Sequence, residues 1–279
     1  MHQPTYSLSA ALRQLHFITP RGIVAWVRAF LRDGVSLMTL LGYAATIYPQ
    51  RGALLYEGQS LTYRQLYQET LRLAFCFREK AYCKRGGRVA LLCRNHLELA
   101  LLLPALSRLG IGAYLLNADM SEEQLVRFLS GRKYDLLILD EEFRQRYFSD
   151  KEPPMTLLTT GELGRVRSED DGKSRRSLPR IVRGAELSVL TGGSSGSYKS
   201  ADRRPSAINF LPPLLALIRS IGIHRGSTTY LALPLFHGFG LATLFVAWVM
   251  GKRIWLTRRF RAEEALEGIE RYGVDVLPI

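Results

Sequence analysis

The residues best equipped for chemistry are Thr191-Gly192-Gly193-Ser194-Ser195-Gly196-Ser197-Tyr198-Lys199. Glycines let a backbone turn tightly and bring its N–H groups close to an anion. Four aliphatic hydroxyls add donors, and Lys199 adds positive charge. The stretch suits a phosphate cradle, while its composition alone also suits a flexible Gly/Ser linker. It is not the common P-loop, which needs lysine directly after the last glycine; here Ser197 and Tyr198 intervene. Nor is it the dinucleotide fingerprint, because the glycine spacing fails and no acidic residue ends a following strand. Gly192-Gly193-Ser194-Ser195-Gly196 formally matches a hydrolase elbow, with Asp202 and His237 as paper partners. The flanking sequence explains the loop without that triad. Cys76, Cys83 and Cys93 lack metal-ligand spacing, so no metal site is expected. An isolated histidine in an apolar, glycine-containing turn, such as His237, is more often structural than functional. His2, His16, His96 and His224 read as surface or satisfied core residues.

Such a loop needs a strand to deliver it. Leu187-Ser188-Val189-Leu190 reads as that strand. Upstream, the periodicity predicts helix 65–79, strand 88–93, helix 97–108, strand 112–116, helix 121–130 and strand 135–139. Thr62 is placed as a helix cap. This alternation implies an α/β fold, mainly parallel sheet layered with helices. Residues 151–183, with Pro153-Pro154 and many charges, read as a linker or surface loop. Residues 206–222 read as a helix. The organisation expected is an amphipathic segment 1–34, an α/β subdomain 35–150, the charged linker 151–183 and a loop-bearing subdomain 184–279.

Residues 21–33 are amphipathic at helical period. Ile23, Val24, Val27, Phe30 and Leu31 share one face, Arg21, Arg28 and Arg32 the opposite one, and Trp26 leans to the apolar side. Docking on its own domain and lying on an anionic membrane surface are both open to such a helix. It is too short and charged to span a membrane and has no signal-peptide cleavage pattern. With an odd number of unpatterned cysteines, this implies reduced thiols in the cytoplasm, with peripheral contact at the inner membrane face.

The loop resembles the phosphate-binding loop of the adenylate-forming, AMP-binding enzymes, the acyl-CoA synthetase and luciferase superfamily. Thr191, Gly193, Gly196 and Lys199 match that pattern, and Ser194 and Ser195 keep its hydroxyls. Gly192, Tyr198 and Ser200 depart from its serine, proline and glycine, which bears on loop rigidity and ATP affinity. The resemblance runs over roughly residues 35–279. It includes Tyr48–Leu54 with Ser60–Leu66, Gly87–Leu92 with Asn95, Leu109–Asn117, Leu233–Leu241, and Arg259–Leu266 leading to Gly273–Pro278. It implies that Thr191, Gly192, Gly193, Ser194, Ser195, Gly196 and Lys199 hold the ATP phosphates. It also implies that His237, Phe239 and Gly240 border an acyl pocket, with ATP, Mg2+ and CoA as cofactors. The substrate implied is a carboxylate, and the stretch Lys199–Pro205 resembles a fatty-acid branch.

Family members are about twice as long. Their threonine–glutamate element, ribose-binding aspartate, hinge and mobile domain with its catalytic lysine have no counterpart here. The expectation is therefore a partial ligase, weak or inactive alone, completed by a C-terminal half on another polypeptide. The alternative is a non-catalytic nucleotide- or acyl-binding, or membrane-associated, half. Truncation is also expected to leave residues 211–223 and 231–249 partly uncovered. The net charge of +13 fits anionic substrates or a membrane surface. No reading helix, aromatic RNA platform or zinc module accompanies it, so specific nucleic-acid binding is not expected.

Overall fold

Short-range signals start and stop most of the helices. A computed structural model describes residues 19–149, 155–169, 178, 185–189 and 226–278. Helices α1 (Pro20–Asp33) and α2 (Leu37–Ile47) come first, followed by strands β1 (Gly52–Tyr56) and β2 (Gln59–Thr62). Glu57 and Gly58, both at positive φ, make the tight turn of this antiparallel pair. Thr62 then opens α3 (Tyr63–Glu79) with a capping box: the Gln65 amide donates to the Thr62 hydroxyl, and the Gln65 side chain accepts from the Thr62 amide. After β3 (Arg88–Leu92), α4 (Leu97–Leu109) begins where the His96 ring accepts from the Leu99 amide. It ends at Gly110, left-handed at φ 72°, a conformation that favours glycine. Then come β4 (Gly112–Leu115), α5 (Glu122–Gly131), β5 (Leu136–Leu139) and α6 (Glu141–Phe148).

The stretch read as linker is in part regular structure. β6 (Leu157–Thr159) pairs with β5, and α7 (Thr160–Ser168) starts at a capping box between Thr159 and Glu162. Its charges do not keep it solvated as a loop. Arg167 bonds Glu69 of α3 and Glu98 of α4, tying α7 to the body. The 206–222 segment lies outside the described residues. The last elements are β7 (Leu187–Val189), β8 (Thr228–Leu231), α8 (Gly238–Val249), β9 (Arg253–Leu256) and α9 (Ala262–Tyr272).

Two sheets result. The larger is wholly parallel, in the order β6-β5-β3-β4-β7. β4 and β5 are buried at every position, as expected of strands covered on both faces. The smaller has the order β2-β1-β9-β8, with β9 parallel to both neighbours. One continuous apolar cluster joins α1–α4, the large sheet and α8. A smaller cluster of Leu55, Tyr230, Trp255 and Ala265 lies under α9. Gly268 of α9 sits against the Trp255 ring, where any side chain would collide. The chain is thus an α/β protein of mainly parallel sheet layered with helices.

The run 231–249 is not left uncovered. Gly240, Leu241, Thr243, Leu244, Val246, Ala247 and Trp248 of α8 are buried, because α8 is packed against α2, β8 and β9. Only Phe239 of this run is among the exposed large apolar residues, at 37%. The 211–223 run lies outside the described residues.

Candidate active site

In parallel sheets, ligands bind beyond the carboxyl ends of the strands, where the strand order reverses. Here the chain passes from β3 to β4 on one side and then crosses to β5 on the other. The reversal lies between β3 and β5. Arg94, Asn95 and His96 follow β3, and Asp140 follows β5. The carboxyl ends of the second sheet meet the same edge, as β8 exits into Leu233–His237 and β9 into Thr257–Arg259.

Two side chains lock the sheets together there. Asn95, 2% exposed, donates from Nδ2 to the Leu233 carbonyl at 2.9 Å and accepts at Oδ1 from the Leu235 amide at 2.8 Å. It thereby sets the course of the backbone into His237. Asp140, 1% exposed, accepts from His96 Nε2 at 2.8 Å, the Arg94 amide at 3.0 Å and Arg258 Nη2 at 2.8 Å. Arg258 also bonds Glu142, which pairs with Arg94 and Arg259. Burial opposes ionisation of Asp140. The hydrogen bond and charge of His96, the Arg94 amide and Arg258 outweigh it and hold the carboxyl below its ordinary value. Burial likewise disfavours charge on His96, but hydrogen bonds to Asp140 and Glu98 raise its proton affinity. The Leu99 amide pointing at Nδ1 makes Nε2 the protonated atom when the ring is neutral.

Cys93, His96 and Asp140 bring ligand atoms within 4.8 Å of one another. Their chemistry suits a hydrogen-bonded junction better than a metal centre. Burial pushes the Cys93 thiol well above its ordinary value, and the thiol donates to the Ile138 carbonyl. Both Asp140 oxygens are already engaged by protein donors. His96 is thus a satisfied core histidine, consistent with its lack of motif context.

Of the residues singled out by sequence, His237 and Phe239 are exposed at the start of α8. His237 caps this helix through its backbone, with its ring 4.8 Å from that of Phe236. Gly240 is buried beneath them. A Cβ there would stand 2.5 Å from the Pro234 carbonyl oxygen, so only glycine lets α8 approach the exit of β8. Thr191, Gly192, Gly193, Ser194, Ser195, Gly196 and Lys199 lie outside the described residues. The strand before them is described: β7 runs parallel to β4 and ends at Val189. Asp140, His96, Arg94, Glu142 and Arg258 were not identified as a group from sequence, and Asn95 only as part of a strand–turn resemblance. The available signal was polar residues placed immediately after apolar strands, at 94–96, 140–142 and 258–259.

Comparison with known proteins fits this architecture. The chain is 25% identical over 234 residues to the 2-succinylbenzoate--CoA ligase of Bacillus velezensis, covering 84% of this chain and 46% of that protein. The Bacillus licheniformis ligase of the same name is 26% identical over 242 residues, covering 84% and 48%. The chain therefore spans about half the length of these curated relatives. Among solved structures, O-succinylbenzoate coenzyme A synthetase from Bacillus subtilis, in complex with ATP and magnesium ion, superposes with a TM-score of 0.69. The identity is 24%, with 85% of this chain and 62% of that chain covered. A putative long-chain-fatty-acid CoA ligase from Rhodopseudomonas palustris gives 0.70 at 20% identity, covering 88% and 63%. These two structures show the shared fold. Residues 42–279 match the AMP-binding enzyme family, and the chain belongs to that family, covering its N-terminal part.

Proposed function

We propose that this chain supplies the nucleotide-phosphate and acyl-facing half of an AMP-forming acyl-CoA ligase. In that reaction a carboxylate oxygen attacks the α-phosphorus of ATP. The bond to the bridging oxygen breaks, and pyrophosphate leaves with the electron pair. The coenzyme A thiol then attacks the acyl carbon, loses its proton and displaces AMP. Thr191, Gly192, Gly193, Ser194, Ser195, Gly196 and Lys199 hold the phosphates, where backbone donors and the lysine charge stabilise the leaving group. His237 and Phe239 face the acid, and Gly240 lets their helix sit close. Magnesium and coenzyme A enter by analogy with the family. The described residues offer no site suited to the metal, so no step is assigned through it.

One observation carries this reading. β7 ends at Val189, two residues before Thr191, on the sheet edge where Asn95 holds the backbone leading to His237. The acid is left as a choice between two classes. The stretch 199–205 favours a fatty acid, while the curated relatives are ligases of 2-succinylbenzoate.

The test is ATP-dependent pyrophosphate release with both acid classes, for the wild type and Lys199→Ala. Each is assayed alone and with a polypeptide carrying the family's C-terminal half. Turnover is expected only in the combined reaction, reduced on the order of a hundredfold by Lys199→Ala. Turnover by the 279-residue chain alone would overturn its status as a half. Turnover indifferent to Lys199, or none in any combination, would overturn the phosphate-holding role.

A further inference from the structure

α1 docks on the body with its small residues and leaves its large apolar residues in solvent. Gly22, Ala25, Ala29 and Asp33 are the buried positions. Trp26 stacks on Tyr43 of α2 with centroids 4.1 Å apart. Asp33 accepts from the Tyr67 hydroxyl at 2.9 Å, and Gly42 of α2 leaves room for Arg32 and Asp33. Ile23, Val24, Val27, Phe30, Leu31 and the following Val35 are each 47% to 54% exposed. The face that amphipathicity marks as buried is therefore the face left open. A contiguous apolar surface of this kind marks an interaction site.

The charges around that face identify its occupant. Arg21, Arg28 and Arg32 lie along one flank and are exposed. The single acid of the helix, Asp33, points inward and is 1% exposed. The outer surface of α1 is thus apolar with a purely cationic border. Residues 1–18 contain no Asp or Glu and cannot complement that border. A second copy packing α1 antiparallel on itself would set two arginine rows side by side, a repulsive arrangement. No described helix is long and apolar enough to cross a membrane.

We propose that α1 is an interfacial docking helix for an anionic lipid surface. Its Ile23–Leu31 face enters the headgroup–acyl boundary, and Arg21 and Arg28 meet lipid phosphates. Positioned this way, the domain lies on the membrane without spanning it. The inference does not depend on the catalytic reading above, since α1 carries none of the residues assigned to that reaction.

The test is flotation of the full chain with phosphatidylcholine vesicles and with vesicles containing phosphatidylglycerol. Flotation is expected with phosphatidylglycerol. Val27→Asp is expected to lower the partition coefficient tenfold or more. Arg21→Gln and Arg28→Gln each lower it about fivefold and weaken its salt dependence. Val126→Asp, at a site on α5 that is 55% exposed, leaves it unchanged. No flotation with anionic vesicles would overturn the proposal. So would flotation indifferent to Val27→Asp, which would mean that the net charge binds elsewhere. A wild-type dimer that Val27→Asp dissociates, with no vesicle binding, would assign the face to a second copy instead.

Discussion

Asp140 and Asp33 are both almost fully buried, at 1% exposure, yet their surroundings push them in opposite directions. Asp140 is held below its ordinary value because His96, the Arg94 amide and Arg258 outweigh its burial. Asp33 is raised, because burial outweighs Arg32, Tyr67 and the more distant Arg108. Asp33 has two close donors, the Tyr67 hydroxyl at 2.9 Å and Arg32 Nε at 3.0 Å, with Arg108 Nε at 3.6 Å, whereas three donors, one of them a histidine, close on Asp140 at 2.8–3.0 Å. The lesson is that burial alone does not set the charge of a carboxyl; the number and closeness of its donors do. The two aspartates also have different work. Asp140 joins the carboxyl ends of two sheets beside the candidate site, while Asp33 fastens α1 to the body.

Asp140→Asn should have the largest effect, a loss of about 3–5 kcal/mol in urea unfolding at pH 7, because it leaves His96 and Arg258 facing a neutral amide. The pH dependence of that deficit follows from the two shifts. Asp140, with its folded pKa lowered, contributes stability above the ordinary aspartate value of 3.8 that disappears as pH falls through the folded pKa. His96, with its folded pKa raised, contributes stability below 6.5 that disappears as pH rises through its folded pKa. The deficit of Asp140→Asn should therefore be greatest between about 4 and 6.5 and shrink on both sides. A flat profile across that range would break the pairing.

Asn95→Ala comes next, with an expected loss of about 2–3 kcal/mol, since it strands a half-buried carbonyl and a buried amide in the Leu233–Leu235 segment. In the combined reaction proposed above it should raise KM for the acid more than it lowers kcat. An unchanged KM would show that this segment does not shape the acyl side.

Asp33→Asn should be the mildest, under about 1.5 kcal/mol at pH 7, because the amide preserves the acceptor for Tyr67 and resembles the protonated acid. Its pH behaviour has the opposite sign. With its folded pKa raised, Asp33 contributes stability that is full below 3.8 and is lost as pH rises through the folded pKa. The variant should fall behind the wild type as pH is lowered, whereas Asp140→Asn catches up below 3.8. Parallel slopes for the two variants would erase the distinction drawn between them.

Much of the large sheet was legible in advance, because its signals are local. The strands predicted at 88–93, 112–116 and 135–139 occur at 88–92, 112–115 and 136–139. Thr62 caps its helix because its partner, Gln65, lies three residues away. The family resemblance was equally local, carried by short motifs. The charged stretch 155–169 misled because its composition outweighed two short-range cues, a capping box and a three-residue strand.

The sequence by itself determined most of the helices and parallel strands between residues 63 and 139, and to which family the chain belongs. Tertiary structure alone decided the junction of the two sheets. His96 and Asp140 are 44 residues apart, Arg258 and Asp140 118, and Asn95 and Leu235 140. No local periodicity encodes hydrogen bonds across such separations. It also decided which way α1 faces. Amphipathic spacing tells which residues share a side, but close approach to α2 favours small ones. Gly22, Ala25 and Ala29 therefore turned inward, and the larger apolar side chains were left outside.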